Sequence, residues 1–406
     1  MSSGATSLWR LPAVRHLVVV SVLGFASFCL TLASLPLWAV RGGASAATAG
    51  LVTTVMLVTT VVTQALVPAM IVRFGSGPAL ALGLLLLGAP APLYALSSHL
   101  TLLLVVSAVR GTGFALLTVI GATLTGAVAP AARHGEAVGL YGLAIAVPNL
   151  VGIPAGVALT QTGHFSLAAT LAASPVLALP SAVRVGRRSD LAADASGAAG
   201  EATAEAGGAV GAVSHRTVIG VTLRPSLVLL VVTAAGGGLV TFLPIERSSG
   251  SLATVALLVF GTTAALARWR AGVLVDRAGP RLLLPAALTA AVTGLFGVAL
   301  CLLGGRSFDP VLLVAAALFG LGYGGIQNLT LVVAFARAGS GGAATASALW
   351  NASFDFGTAL GAFGVGALAE TGLGLPWALA VSAGLMLLGG PLAVGLGTTG
   401  RRFDAG

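Results

Sequence analysis

The chain has 406 residues, of which 57% are hydrophobic and only 8% are charged, whereas soluble domains carry about 25% charged residues. This composition excludes a water-soluble globule. The net charge of +9 comes entirely from arginine, because the sequence contains no lysine, and the arginines follow the loops between apolar stretches instead of forming a nucleic-acid-binding patch.

Long apolar stretches predict twelve membrane spans, because about 20 residues of helix cross the roughly 30 Å of hydrocarbon in a bilayer. The expected fold class is an all-α membrane protein with twelve transmembrane helices in two pseudo-symmetric six-helix halves. In chain order the predicted spans are 14–37, 46–70, 78–97, 102–127, 136–160, 167–184, 225–245, 251–269, 282–303, 311–336, 344–369 and 376–397.

The distribution of arginine predicts the orientation of the spans. With both termini in the cytoplasm, sixteen arginines lie in cytoplasmic loops and tails, and Arg268 and Arg270 are among them. Only Arg41, Arg247 and Arg306 lie on the opposite side. The positive-inside rule requires such an asymmetry, so we expect a multi-pass protein of the plasma (cytoplasmic) membrane.

The longest polar segment predicts a boundary between two halves. Residues 186–217 contain no aromatic residue and are rich in alanine, glycine, serine and acidic residues, a composition typical of a flexible cytoplasmic linker. We therefore expect six spans in residues 1–185 and six in residues 218–406. A short repeat supports two related halves, since Arg73-Phe-Gly recurs as Arg277-Ala-Gly, 204 residues later.

The segment that follows the eighth span carries the most specific motif of the chain. It reads Gly-Val-Leu-Val-Asp-Arg-Ala-Gly-Pro-Arg, with motif positions Gly272, Asp276, Arg277, Gly279 and Arg281. It resembles the loop signature of the major facilitator superfamily, which joins the second and third helices of a half. The resemblance implies the major facilitator fold, with Asp276 at the cytoplasmic end of the seam between the halves, where it stabilises the state closed to the cytoplasm.

Two segments of the first half extend this resemblance. Arg110-Gly-Thr-Gly in span 4 is similar to the helix-4 arginine motif of the superfamily. Span 5, which contains Pro148 and Asn149, is similar to the Gly- and Pro-rich helix of the drug:proton antiporter branch, although the Gly-Pro-x-x-Gly-Gly core of that motif is not intact. The first-half copy of the loop signature has Val72 at the Asp position, so a stabilising contact of the kind expected for Asp276 lacks its carboxylate in that half.

Asp355 is the acidic residue predicted to lie well inside a span. It is roughly 17 Å from the cytoplasmic end of span 11, and an intramembrane carboxylate indicates a functional site. Two roles are open, proton coupling or a structural hydrogen bond with a neighbour such as Asn351. Arg110 is the second proton-coupling candidate, because it lies at a similar depth in span 4. It either pairs with Asp355 across the halves or donates to carbonyls of its own half.

Polar and aromatic residues at helical spacing predict the wall of a substrate cavity. The candidates in spans 10 and 11 are Tyr323, Gln327, Asn328, Trp350, Asn351 and Phe354. Asn149 is a further candidate in span 5, and its two open roles are a place in the cavity or a hydrogen bond to carbonyls that Pro148 leaves without a donor.

These features favour a secondary transporter that exports a small apolar or amphipathic molecule in exchange for protons by alternating access. An importer or facilitator of a small metabolite is the alternative. The expected partners are the substrate, protons and membrane lipid, without nucleic acid, and we expect the protein to work as a monomer. If Asp355 is not the coupling carboxylate, Glu246 at the outer end of span 7 is the next candidate.

Catalysis is not expected from this sequence. It contains no nucleotide-binding loop and no nucleophile with a paired base, so an enzyme is disfavoured and no cofactor is expected. The five histidines lie in predicted loops or near span ends without the spacing of metal ligands. The sequence therefore predicts no metal site.

Overall fold

The computed structural model of this chain describes residue 9 and residues 11–127, 133–186, 215–248, 250–305, 308–339 and 342–397. Nearly all of the predicted linker lies outside these residues. Helices and turns make up the described residues, and no strand occurs among them. The prediction of an all-α protein is therefore confirmed.

The helices follow from the apolar character of the chain. In hydrocarbon every backbone N–H and C=O group needs a partner within the protein, and a helix supplies these partners from its own backbone. The elements before the predicted linker are α1 (Pro12–Leu32), α2 (Ser34–Arg41), α3 (Ala46–Gln64), α4 (Val67–Phe74), α5 (Ser76–Gly88), a 3₁₀ segment (Ala91–Ala95), α6 (Leu100–Ala127), α7 (His134–Gln161), α8 (Phe165–Leu171), a second 3₁₀ segment (Ser174–Ala178) and helical residues 179–186.

The helices after the linker include the longest of the described chain, Leu252–Leu303 with 52 residues. Asp309 and Pro310 begin one of them, and an acidic residue and a proline are both favourable in the first turn of a helix. The elements are α9 (His215–Glu246), α10 (Leu252–Leu303), α11 (Asp309–Ala338), α12 (Ala343–Leu368), a π-helical turn (Ala369–Leu373), α13 (Gly374–Leu387) and α14 (Gly389–Gly397).

Eleven stretches of the described residues are long and apolar enough to cross a membrane. The last of them, Thr345–Ala393, has 49 residues and contains both α12 and α13. Gly372 and Gly374, which have positive φ, separate these two helices. This stretch accounts for two of the twelve predicted spans, and the chain is a multi-pass membrane protein.

The helix that contains the eighth span extends beyond the predicted end of that span at residue 269. Its apolar stretch continues to Val275, so Arg268 and Arg270, which were counted with the cytoplasmic arginines, lie within that stretch. The reason is that residues 271–275, Ala-Gly-Val-Leu-Val, resume the apolar stretch after the two arginines. The backbone of α10 leaves helical geometry only at Gly279.

Two glycines at equivalent positions of the repeat have the same backbone conformation. Gly75 ends α4, and Gly279 ends the part of α10 that precedes its kink. Gly75 has φ 80° and ψ 161°, and Gly279 has φ 69° and ψ 160°. Glycine adopts this conformation without the steric cost that a side chain brings. The two residues are separated by the offset of the repeated Arg-x-Gly fragment, so the repeat seen in the sequence is also a repeat of backbone geometry.

Contacts divide the chain into two compact units. The first unit consists of Met1–Thr31 and Val58–Val210, and the second consists of Leu32–Leu57 and Gly211–Gly406. Residues up to 185 therefore contribute one segment, Leu32–Leu57, to the second unit. The boundaries of the two sequence halves, at residues 185 and 218, stay a prediction.

Three kinds of contact fasten the segment Leu32–Leu57 within the second unit. The hydroxyl of Thr54 donates to the carbonyl oxygen of Ala359 at 2.9 Å. The backbone N–H of Ala47 donates to a carboxylate oxygen of Glu370 at 2.8 Å. Gly50 lies so close to α12 that a Cβ atom there would overlap the backbone of Ala362, which explains why a residue without a side chain occupies this position.

Candidate functional site

Three helices of the second unit bring together a group of polar and aromatic side chains, which we call the Arg268 cluster. Arg268 comes from α10, Tyr323 and Gln327 come from α11, and Trp350 and Asp355 come from α12. Tyr323 and Gln327 are four residues apart and therefore lie on one face of their helix. The cluster unites four residues that the sequence predicted as site residues and adds Arg268.

Gln327 links the arginine of the cluster to the tyrosine. Arg268 Nη1 donates to Gln327 Oε1 at 3.2 Å, and the side chains of Gln327 and Tyr323 share a second hydrogen bond. Gln327 is 6% exposed, and buried amides need partners of this kind because an unpaired polar group in a protein interior is costly. The amide therefore holds both the guanidinium and the phenol in place.

Trp350 provides an aromatic surface beneath the guanidinium. The Arg268 Cζ atom lies 5.9 Å from the ring centroid, a distance at which a cation and an aromatic face attract one another. The indole N–H donates to Thr330 Oγ1 at 3.1 Å, which fixes the orientation of the ring. On α12, Trp350 also stacks on Phe354, with centroids 5.9 Å apart and planes 22° apart.

Asp355 is buried in the middle part of α12, with 8% of its surface exposed. It lies in the fourth turn of the helix, roughly 18 Å from its first residue. Tyr323 lies within the electrostatic influence of both Asp355 and Arg268. Asn351 is exposed, and its side-chain amide donates to the carbonyl of Ser347 in the same helix at 2.9 Å.

Glycines bring the backbones of the neighbouring helices close to the cluster. Tyr323 packs on Gly236 of α9, where a Cβ atom would overlap the tyrosine ring. At Gly324 a Cβ atom would overlap the backbone of Ala264 in α10. On its other side Tyr323 is 5.2 Å from Phe260, measured between ring centroids. Close packing of small residues is the usual basis of helix association in membranes, and here it sets the position of Tyr323.

Asn328 connects the cluster to the loop motif. A Cβ atom on Gly272 would lie 3.4 Å from Asn328 Nδ2. The Asn328 Oδ1 atom is buried and has no hydrogen-bond partner among the residues described. Gly272 is one helical turn beyond Arg268, and Asn328 follows Gln327 in sequence, so α10 and α11 make two successive contacts that join the motif to the cluster.

The remaining motif residues follow Gly272 along α10. Arg277 and Arg281 are exposed, and Gly279 provides the break in α10. The side chain of Asp276 lies outside the described part of the structure, so its role at a seam between the halves stays a prediction.

Arg110 lies in the first unit, where its guanidinium is completely buried. Its Nε donates to the carbonyl of Leu87 at 2.8 Å, and Nη1 donates to Thr31 Oγ1 at 3.0 Å. Nη2 donates to both the carbonyl and the hydroxyl oxygen of Ser27, and the guanidinium lies 5.2 Å from the Tyr94 ring centroid. These acceptors all belong to the same unit as Arg110, and its pairing with Asp355 stays a prediction.

Asn149 is half-buried in α7 of the first unit. Its Nδ2 donates to the carbonyl of Ile145 at 2.9 Å. The carbonyl that Pro148 leaves without a helical donor is the preceding one, that of Ala144. The amide thus bonds to the backbone of its own helix beside the proline, and its place in a cavity stays a prediction.

Arg268 is the cluster residue that the sequence reasoning missed. Two neighbouring arginines, Arg268 and Arg270, suggested the end of a span by the positive-inside rule. The signal that could have identified Arg268 is the apolar stretch from Ala271 to Val275, because a helix that continues beyond an arginine leaves that arginine within the span.

Glu246 lies apart from the cluster. It lines a cleft of about 400 Å³ at the start of α10 and α11, together with Arg247 and Asp309. Among the described residues, no group of three or more His, Cys, Asp or Glu side chains could hold a metal ion. Both cysteines, Cys29 and Cys301, are buried thiols.

Comparison with known proteins identifies the fold. Residues 16–362 match the family model of the Major Facilitator Superfamily. A solved structure of a bacterial homolog of the human lysosomal transporter Spinster, inward-facing and unoccupied, is similar with a TM-score of 0.73 and 15% identity, covering 97% of this chain and 98% of that chain. A D-xylose-proton symporter is similar with a TM-score of 0.71 and 15% identity, covering 94% and 96%. A search of curated protein sequences finds no match.

Proposed function

Because the chain belongs to the Major Facilitator Superfamily, we propose that it is a secondary transporter that moves protons in exchange for a small apolar or amphipathic molecule. The transport is export across the plasma membrane by alternating access, as in the drug:proton antiporter branch. Both termini lie in the cytoplasm, and the monomer is the functional form.

The observation that carries the proposal is the position of Asp355. A carboxylate within a membrane span is costly when charged and is retained where function needs it. Tyr323 lies within the electrostatic influence of both Asp355 and Arg268, so a proton on Asp355 changes the electrostatic field at Tyr323. Gln327 then links that change to the guanidinium through its two hydrogen bonds.

Proton coupling also agrees with one of the structurally similar proteins, which is named as a proton symporter. Symport is the reverse coupling to the exchange proposed here. An importer or facilitator of a small metabolite is accordingly the second candidate, and the direction in which protons accompany the substrate distinguishes the two.

The test uses purified protein in liposomes that contain a fluorescent pH indicator, with protein-free liposomes as the background. With an acidic interior, an exchanger lets protons out as an added compound enters, so the internal pH rises faster when a substrate from a compound panel is present. With an acidic exterior, a symporter instead carries protons inward with its substrate. No effect of any compound in either direction would reject proton coupling.

The coupling residue is tested by Asp355→Asn, which keeps the shape of the side chain but removes its titration. We expect this variant to lose proton-driven transport and to retain exchange of labelled substrate without a gradient. Asp309→Asn is the matched control, because it removes a carboxylate from the outer end of α11. If Asp355→Asn retains full proton-driven transport, the role belongs to another group, and Glu246→Gln is the next variant.

A further inference from the structure

Arg268 retains hydrogen-bonding capacity that the protein does not use. Its Nη1 is bonded to Gln327, while Nε and Nη2 have no hydrogen-bond partner within the described ranges. The side chain is exposed at the surface of the protein. An incoming ligand can therefore reach the two remaining donor atoms.

Arg110 shows what an arginine with a structural role looks like in the same chain. It is 0% exposed, and its three nitrogen atoms donate four hydrogen bonds within its own unit. Arg268, by contrast, is exposed and donates one hydrogen bond to the protein. Placing an arginine in a membrane span costs free energy. Four hydrogen bonds offset this cost at Arg110, whereas a single hydrogen bond does so at Arg268.

The donors that remain on Arg268 have a specific geometry. Nε and Nη2 form one edge of the planar guanidinium, with two N–H groups pointing in nearly parallel directions. This edge binds carboxylate, phosphate and other oxyanions in a bidentate manner. The bond from Nη1 to Gln327 and the contact with the Trp350 ring restrict rotation of the guanidinium. The orientation of the Nε and Nη2 edge is therefore fixed before an anion binds.

The surroundings of this edge are aromatic. Trp350 and Phe354 stack on one another beside the guanidinium, and Tyr323 packs against Phe260 on the next helices. Such side chains contact an apolar or aromatic body more favourably than a polyhydroxylated one, because they offer few hydrogen-bonding groups. A ligand that fits here has an anionic group at one end and an apolar body attached to it.

We propose that the substrate is an organic anion whose single carboxylate, phosphate or sulfonate group binds the Nε and Nη2 edge of Arg268, and whose apolar or aromatic body lies against Trp350 and Phe354. This inference rests on the proposed transport function and names its substrate class.

The test is binding to purified full-length protein in a neutral detergent, measured by isothermal titration calorimetry. The probes share one aromatic body: 1-naphthoate, 1-naphthyl phosphate and naphthalene-1-sulfonate are the anions, 1-naphthamide is the neutral analogue, and 1-naphthylmethylamine is the cation. We expect at least one anion to bind wild-type protein about tenfold more tightly than the amide, or better, since charge-assisted hydrogen bonds are about twice as strong as neutral ones.

Arg268→Gln is expected to remove this preference. Arg270→Gln is the matched control, because Arg270 carries the same charge two residues later but stacks on Trp269, and it is expected to retain the preference. If Arg268→Gln does not fold, Arg268→Lys serves instead, and weaker anion binding is expected because an ammonium group lacks the bidentate edge.

Equal affinities for the anions and the amide in wild-type protein would overturn the proposal. So would anion affinity that is unchanged in Arg268→Gln. The headgroup of an anionic lipid offers the same chemistry, so the titration is repeated in nanodiscs of phosphatidylcholine with and without phosphatidylglycerol. Retained probe binding identifies a solute site, while loss of binding only with phosphatidylglycerol would assign Arg268 to a lipid and overturn its role with the substrate.

This assay involves neither transport nor a proton gradient. Anion binding that depends on Arg268, together with liposomes that show no proton coupling, would reject the proposed coupling and keep the substrate class. Proton-driven transport that depends on Asp355, without any preference for anions, would do the reverse.

Discussion

A carboxylate oxygen of Glu370 accepts a hydrogen bond from the backbone N–H of Ala47 at 2.8 Å, across 323 positions of the sequence. Ala47 lies in the first turn of α3, where backbone N–H groups lack partners within the helix. The side chain of Ser45 also bonds to Glu370, and these two hydrogen bonds lower the pKa of this exposed carboxyl group. Glu370 therefore caps α3 and fastens the segment Leu32–Leu57 within its unit.

The first prediction concerns the pH dependence of this contact. A carboxyl group with a lowered pKa contributes stability that is present above its pKa in the unfolded chain and is lost as the pH falls through the folded value. The contact is therefore expected to persist at neutral pH and to weaken below the ordinary glutamate pKa, about 4.3. Glu370→Gln removes the charge at every pH.

Amide hydrogen exchange measures this effect. At neutral pH the amides of residues 46–49 are expected to exchange faster in Glu370→Gln than in wild-type protein. Because the wild-type carboxylate is protonated at low pH, the ratio of the two rates is expected to approach one as the pH falls below about 4.3. A ratio of one at neutral pH would show that the contact does not hold this segment.

The second prediction concerns Arg110. Arg110→Gln removes a buried guanidinium that donates to Leu87, Thr31 and Ser27 and leaves several acceptors without their donor. We expect a loss of about 2–4 kcal/mol in the free energy of unfolding, measured by denaturation in micelles. Arg270→Gln, at an exposed site, is expected to change it by less than about 0.5 kcal/mol. Undiminished stability in Arg110→Gln, with loss of proton-driven transport, would instead favour a coupling role.

The third prediction concerns the close approach of α10 and α11. A methyl group at Gly324 would overlap the backbone of Ala264, which cannot move aside as a flexible side chain can. Gly324→Ala is therefore expected to destabilise the protein by about 1–3 kcal/mol and to weaken ligand binding at the neighbouring Tyr323. Gly384→Ala is the control, because nothing lies within 4 Å of its Cβ position. Equal thermal stability of the two variants would contradict the packing argument.

The fourth prediction concerns the loop motif. If Asp276 stabilises the state closed to the cytoplasm through a helix N-terminus, the interaction is worth about 0.3–2 kcal/mol. Asp276→Asn should then shift the equilibrium between inward-facing and outward-facing states by roughly twofold to thirtyfold. Distances between spin labels on the cytoplasmic ends of the helices report this shift, and Val72→Asp is expected to have a far smaller effect. An unchanged distance distribution in Asp276→Asn would reduce the motif to a positive-inside anchor.

The sequence predicted those features that depend on local pattern. Apolar stretches predicted the spans, and helical spacing predicted that Tyr323 and Gln327 share a face of α11. The sequence could not predict which groups these side chains contact, because partners such as Gln327 and Arg268, 59 positions apart, depend on how the helices pack. Arg268 was counted with the cytoplasmic arginines, although it lies within the predicted span 251–269, because its charge was weighed more heavily than the apolar residues that follow it.

The match between Gly75 and Gly279 shows what this turn requires of the sequence. The two copies of this turn differ in their side chains, with Val72 where the other copy has Asp276. The backbone angles nevertheless agree to within 11° in φ and 1° in ψ, from 80° and 161° against 69° and 160°. The turn therefore depends on the path that glycine allows the backbone to take, and it forms with or without the carboxylate.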